Sequence, residues 1–212
     1  MRKITDLTLS YQPGMAGFDR QAAKTLEPDG WNASTLTFYS LAGTHMDAPF
    51  HFGVNDQTID QLPVARFRSQ AHVVRLPETL PKALIHPEDL GELRDRFLPG
   101  ESLLLHTGWS QFAYTDPAKY RNELPRISRE LAHWCVDKQV NILGVEPPSV
   151  ADVNDLAEVT EIHRILLGGD VIIVEGLTNL DQLASDTVVL IALPLKIKDC
   201  DGAPARVIAV QF

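Results

Sequence analysis

The chain has 212 residues, 44% of them hydrophobic and 22% charged, so it is long enough to bury roughly 70% of its unfolded surface without a disulfide or metal merely to fold. A formal net charge of −9 argues against a general nucleic-acid binder, which needs clustered Lys and Arg. No segment approaches about 18 uninterrupted apolar residues, which argues against a membrane span. A small-molecule ligand fits this balance better. Length points to a single domain over residues 1–212. Cys135 and Cys200 fit neither a zinc ribbon nor a dense disulfide framework, and "MRKITDLTLSYQPG" lacks the apolar region of a signal peptide. Both features point to a reducing, cytoplasmic compartment, though one long-range disulfide stays open.

In chain order, β-rich runs are predicted at "KITDLTLSY" (3–11), "STLTFYSL" (34–41), "AHVVRL" (71–76), "SLLLHTG" (102–108), "NILGVE" (141–146), "DVIIVEG" (170–176), "TVVLIALPLKI" (187–197) and "ARVIAVQF" (205–212). Residues 12–32, with Pro13, Gly14, Gly17, Pro28 and Gly30, read as a long loop of the kind that forms lids or partner contacts. Helical character is expected in "HPEDLGELRDRF" (86–97), in "ISRELAHWCVDKQ" (127–139) with Ser128 as N-cap, and in "EIHRILLGG" (161–169). Strand and helix alternate in the middle while both ends are mostly strand. That order predicts an α/β domain with a mixed sheet rather than a doubly wound one.

Chemistry concentrates in "LAGTHMDAPFHF" (41–52). His45 and Asp47 are two apart, which places both on one face of an extended segment, and imidazole with carboxylate suits Zn, Mn or Fe. Pro49 sets a turn that can return His51 toward the same point. The same residues would also serve a polar loop whose histidines cap neighbouring backbone groups. Far downstream, "EIHRILLGGDVIIVEGLTNL" carries His163 on a short amphipathic helix and Glu175 at the end of an apolar strand. A carboxylate there needs a partner if it is buried, since an unpaired one costs several kcal/mol. Emergence of both residues into solvent is the plainer alternative.

Taken together, the two segments resemble the cyclase family of metal-dependent hydrolases that includes bacterial kynurenine formamidases, whose signature reads H-x-G-T-H-x-D-x-P-x-H. Leu41, Gly43, Thr44, His45, Asp47, Pro49 and His51 occupy the corresponding positions. "LLLHTGW" (103–109), "ILGVEPPSVAD" (142–152) and "HRILLGGDVIIVEGLTNL" (163–180) resemble later blocks of the family in the same order. The resemblance implies a swivelling β/β/α fold, a homodimer or homotetramer, and hydrolysis of an amide or cyclic ester. It implies His45, Asp47, His163 and Glu175 as ligands of a divalent metal, Zn or Mn, and His51 as the proton-transfer residue. The metal would lower the pKa of water from 15.7 to about 7, and a nearby imidazole would hand a proton to the leaving group.

Position 41 departs from the signature: the family's first histidine, a ligand, is a leucine here. Glu146 stands where the family commonly has Asp, and "PGM" (13–15) replaces a "PGD" element. Candidate substrates are therefore an aryl formamide, a lactone, a cyclic imide or a polyketide-type intermediate. A member that binds a small molecule or partner without turnover is the alternative from another class. Trp109 is expected to pack, His106 to satisfy a backbone carbonyl, and His133 and Cys135 to face different ways on their helix. No P-loop, dinucleotide glycine fingerprint or nucleophile elbow occurs.

Overall fold

The described residues, 3–76 and 79–211 in a computed structural model, build a curved sheet that closes on itself. Phe212, the last residue of the strand predicted over 205–212, lies outside them. The strands are β1 (Lys3–Asp6), β2 (Phe18–Lys24), β3 (Ala33–Phe38), β4 (His45–Asp47), β5 (Arg68–Arg75), β6 (Leu84–Ile85), β7 (Ser102–His106), β8 (Arg126–Ile127), β9 (Ile142–Val145), β10 (Ile172–Glu175), β11 (Thr187–Pro194) and β12 (Gly202–Gln211). The large sheet runs β1-β12-β11-β5-β7-β9-β10-β4. The three-residue β4 also pairs with β12, so seven strands form a barrel and β1 extends it at one side. Pairs β5–β7, β7–β9 and β9–β10 are parallel, whereas β11, β12 and β4 join antiparallel. The α/β class with a mixed sheet is the architecture expected from the order of elements.

Alternation along each strand separates two cores. Leu104, Ile142, Ile172 and Val174 fill the barrel together with Met46, Ala203 and Val207. Their neighbours Leu103, Leu105, Leu143, Val145 and Ile173 face outward and are covered by two helices. The helix Arg129–Asp137 buries Leu131 and Cys135, and the Ser128 hydroxyl accepts from Leu131 N at 3.0 Å, as predicted for its N-cap. His133 is exposed on the opposite face.

Several predicted elements differ, beginning with the strand expected at 3–11, which ends at Asp6 and continues only as a bridge from Thr8 to Leu177. The helix expected at 161–169 spans Leu156–Gly168, because Asp155 accepts from both Ala157 N and Glu158 N and starts it earlier. The helix expected at 86–97 breaks into a 3-10 turn, Pro87–Leu90, and a short helix, Leu93–Arg96, across Gly91 at φ +55°. The loop expected at 12–32 contains β2, paired antiparallel with β3 as a ribbon of mostly exposed residues. With neither face packed into a core, "FDRQAAK" shows no apolar alternation to reveal it. Among the described residues no helix is long and apolar enough to cross a membrane.

Candidate metal centre

Strand parity sets the site. Met46 and Val174 point into the barrel, so His45, Asp47 and Glu175 lie on the outer face of adjacent strands, with Glu175 directly opposite His45 in register. The helix Leu156–Gly168 covers that face through Ile162 and Leu166 and brings His163 over it. All four side chains are buried.

Two glycine turns make the approach of the strands possible. Gly43 and Gly176 have φ of +61° and +69°, and a Cβ on Gly176 would run into the Gly43 carbonyl. Thr44 ties the turns together: its hydroxyl donates to the Gly176 carbonyl at 2.5 Å and accepts from Leu9 N at 2.8 Å. The Tyr11 hydroxyl donates to the Ala42 carbonyl at 2.6 Å, and its ring underlies Gly43.

The polar atoms face one another across the resulting pocket. His45 Nε2 lies 3.0 Å from Glu175 Oε2 and 3.7 Å from Asp47 Oδ1. His163 Nε2 lies 3.4 Å from Glu175 Oε1 and 3.6 Å from Asp47 Oδ2. The two carboxylates thus sit between two imidazoles, and one ligand atom each from His45, Asp47 and Glu175 fall within 4.8 Å of one another. Each ring is oriented by a backbone carbonyl, His45 Nδ1 to Gly43 O at 2.9 Å and His163 Nδ1 to Val159 O at 2.7 Å. A carbonyl can only accept, so Nδ1 carries a proton and Nε2 is left facing the carboxylates, where it either bears a second proton or gives it up to a metal ion. Glu175 Oε1 is held by Val150 N at 2.7 Å. Asp47 is different: both oxygens are buried and neither has a hydrogen-bond partner among the described residues.

Electrostatics agree with that deficit. Burial disfavours charge on His45, yet Glu175 and Asp47 outweigh it and lift its pKa to about 9; His163 is raised in the same way. Burial, with the Glu175 charge beside it, pushes Asp47 upward. The pocket requires positive charge, supplied by protons on the rings or by a cation that displaces them. The donor set fits a divalent ion.

His51 stands at the rim. Its ring is edge-on to Phe52, which stacks on the His163 ring with centroids 4.2 Å apart, and its Nδ1 lies 3.5 Å from Asp201 Oδ2. Leu41 is half-buried beside the site: a Cβ on Gly202 would come within 2.7 Å of its Cδ2 and 3.6 Å of Asp47 Cα. It offers hydrocarbon where the signature has imidazole.

Other residues resolve into structural roles. Trp109 is buried, packs on Phe112 and donates through Nε1 to the Tyr120 carbonyl at 2.9 Å. The Glu146 carboxylate accepts from Thr107 N and Oγ1, Gly108 N, Trp109 N and Ser110 Oγ, and so organises the loop after β7. His106 does not satisfy a carbonyl through Nδ1, which is buried and unpartnered among the described residues. Asp201 was not singled out by sequence reasoning, and Thr44 only as a position of the signature. "KDCDGAP" reads as an ordinary polar turn, and a threonine within a motif gives no sign of the two strands it joins.

Comparison with known proteins follows the same lines. Residues 5–152 match the family model described as "Cyclase". The chain belongs to the cyclase family. It is 30% identical over 200 residues to a kynurenine formamidase of Bacillus cereus, covering 92% of this chain and 88% of the relative. Among solved structures, isatin hydrolase A from Labrenzia aggregata, bound to benzyl benzoate, superposes with a TM-score of 0.89 at 23% identity over 99% of this chain and 93% of that one. A structure described as a potential metal-dependent hydrolase with cyclase activity gives 0.80 at 22% identity, covering 100% of this chain and 99% of its own. Within this cyclase-family fold, Thr44 is the fastening of the site. Thr44→Val keeps its shape but strands the buried Leu9 N–H and Gly176 carbonyl. The expected cost is about 1–3 kcal/mol in denaturant unfolding, with looser packing of the two turns read by faster amide exchange at Leu9; unchanged values would show that the turns hold without it.

Proposed function

We propose that this cyclase-family member is a metal-dependent hydrolase that cleaves the C–N bond of an aryl formamide or a cyclic amide. The observation that carries the reading is the convergence of His45, Asp47, His163 and Glu175 around a buried Asp47 carboxylate with no other partner. Its relationship to kynurenine formamidases over most of the chain supports the amide substrate. In this reading all 212 residues act as one domain, and the four converging residues hold the ion, Zn or Mn.

A divalent ion held there would polarise the substrate carbonyl and acidify water. The chain's own residues do the rest. His51, at the rim and outside the group of four, carries the proton: it takes one from the water whose hydroxyl is added to the acyl carbon, and as the C–N bond breaks it delivers that proton to the departing nitrogen. Phe52, stacked on His163, screens that ring from water. Leu41 makes one wall apolar, which favours the hydrocarbon or aryl portion of the substrate. The same enzyme would accept a lactone if the leaving atom were oxygen.

Assembly and location belong to this reading too. Leu36, Phe38 and Tyr39 are exposed on or beside the β2–β3 ribbon, and two-stranded ribbons are marginal alone, which supports a homodimer or homotetramer. Cys135 and Cys200 are both free, which supports a cytoplasmic location.

The deciding experiment combines elemental analysis of protein purified without chelator with hydrolysis assays on aryl formamides, cyclic imides and lactones. Stoichiometric Zn or Mn and turnover of an amide are expected, with chelation abolishing turnover and lowering the melting temperature; an ion at a hundredfold excess over its Kd adds about 2.7 kcal/mol. A verified metal-loaded protein inert toward the whole panel would instead mark a binding member without turnover. With Leu41 in place of a donor, one tightly bound ion per chain is expected, seated among His45, Asp47, His163 and Glu175, and Leu41→His should raise occupancy toward two. Two full ions in the natural protein would end that explanation. Sedimentation as a monomer, or recovery of the protein outside the cell, would overturn the assembly and the location respectively.

A further inference from the structure

His51 differs from the other two site histidines in how it is held. His45 and His163 have Nδ1 fixed by backbone carbonyls, whereas the partner nearest His51 Nδ1 is a carboxylate, Asp201 Oδ2 at 3.5 Å. Nor is Asp201 a loose surface acid. Its backbone carbonyl accepts from Ala48 N at 2.9 Å, the preceding Cys200 carbonyl accepts from Ile59 N at 3.0 Å, and the following Gly202 pairs in register with Asp47. The segment carrying Asp201 is thereby stitched to the strand and turn that carry Asp47 and His51. His51 N itself donates to the Ala48 carbonyl at 2.9 Å, so the same residue anchors both partners through its two backbone groups. The carboxylate is aimed as well as anchored: Ser40 Oγ donates to Oδ2 at 3.2 Å and the Cys200 thiol to Oδ1 at 3.3 Å. The His51 and Asp201 side chains are 20% and 34% exposed, at the boundary of the pocket rather than in bulk water.

We propose that Asp201 is a positioning residue for His51, keeping the proton of the neutral ring on Nδ1 and leaving Nε2 free to transfer one. An ionised carboxylate can only accept, so the ring nitrogen facing it is the protonated one. The 3.5 Å separation is long, and contacts of this kind tighten when the reacting group is bound. Ser40 and Cys200 hold the carboxylate while it waits. The catalytic consequence rests on the hydrolase reading above; the orientation of the ring does not.

Two measurements separate those parts. The first is the ¹⁵N spectrum of the imidazoles at alkaline pH, with the His51 signals assigned by their loss in His51→Ala. Wild type is expected to show His51 protonated at Nδ1, and Asp201→Asn, whose amide offers the ring a donor as well as an acceptor, to show a mixture of tautomers or the reverse one. An unchanged tautomer in Asp201→Asn, or a wild-type ring protonated at Nε2, would overturn the proposal. The second is kinetic, on the amide found in the substrate screen. Asp201→Asn should lower kcat by roughly ten- to a hundredfold with KM and metal content unchanged, and Asp201→Glu should recover part of the loss. In a His51→Ala background, Asp201→Asn should add nothing, because a residue acting only through His51 has no effect without it. Additive losses would show that Asp201 acts elsewhere. If wild type hydrolyses nothing in the panel, the hydrolase reading fails and the spectra alone decide the Asp201–His51 relation.

Discussion

The Asp47 carboxylate is the constraint to which the rest of the molecule answers. Both oxygens are buried without a hydrogen bond among the described residues, and an uncompensated carboxylate in such a place costs several kcal/mol. Its neighbour Glu175 deepens the deficit, since it brings a second negative charge into the same pocket. Protons on His45 and His163 answer it only through ion pairs of 3.0–3.7 Å. A divalent ion held there would answer it with bonds and leave the rings neutral, so its binding would release protons. Such an ion would stabilise this face as well as supply chemistry.

Such a pocket can be held open only by rigid supports, and the barrel supplies them. Parity in β4 and β10 sends Met46 and Val174 inward and the polar residues outward, while register sets His45 opposite Glu175. A one-residue slip of β4 would bury His45 and Asp47 in the barrel and expel Met46. Closure by β12 prevents that slip, because β4 is paired on both sides despite its three-residue length. Thr44 and the two glycine turns then bring the strand ends close enough for the side chains to meet.

Sequence reasoning reached the strands that alternate or run apolar and the mixed sheet, since these depend on local pattern, and through a motif it named the four side chains that the fold brings together. It missed what depends on distant partners. β2 has no buried face, so no alternation betrayed it. Asp201 and His51 are far apart in the chain, and the turn that carries Asp201 looks like any polar turn between strands. His72 has no acid close to it in the sequence, yet its Nε2 lies 2.7 Å from Oε2 of Glu101, which immediately precedes the parallel neighbour β7. Glu146 reads in the sequence as a departure from the family's usual Asp, whereas its five donors make it the organiser of a loop. For Asp201, His72 and Glu146 the deciding contact comes from residues that the fold, not the local sequence, brings together.

Leu41 shows why a site of this design tolerates the loss of a donor. His45 is oriented by Gly43, His163 by Val159 and Glu175 by Val150, and none of these anchors involves position 41. Leu41 instead packs on the backbone at Gly202 and beside Asp47, where a side chain on residue 202 would displace it. Replacing an imidazole there removes one donor and adds an apolar surface without loosening any other group. A pocket without a cation would offset its buried carboxylates only by protons on His45 and His163, across ion pairs of 3.0–3.7 Å. Asp47 and Glu175, both buried and flanked by imidazoles oriented through their Nδ1 atoms, form the donor set that a divalent ion would satisfy more completely.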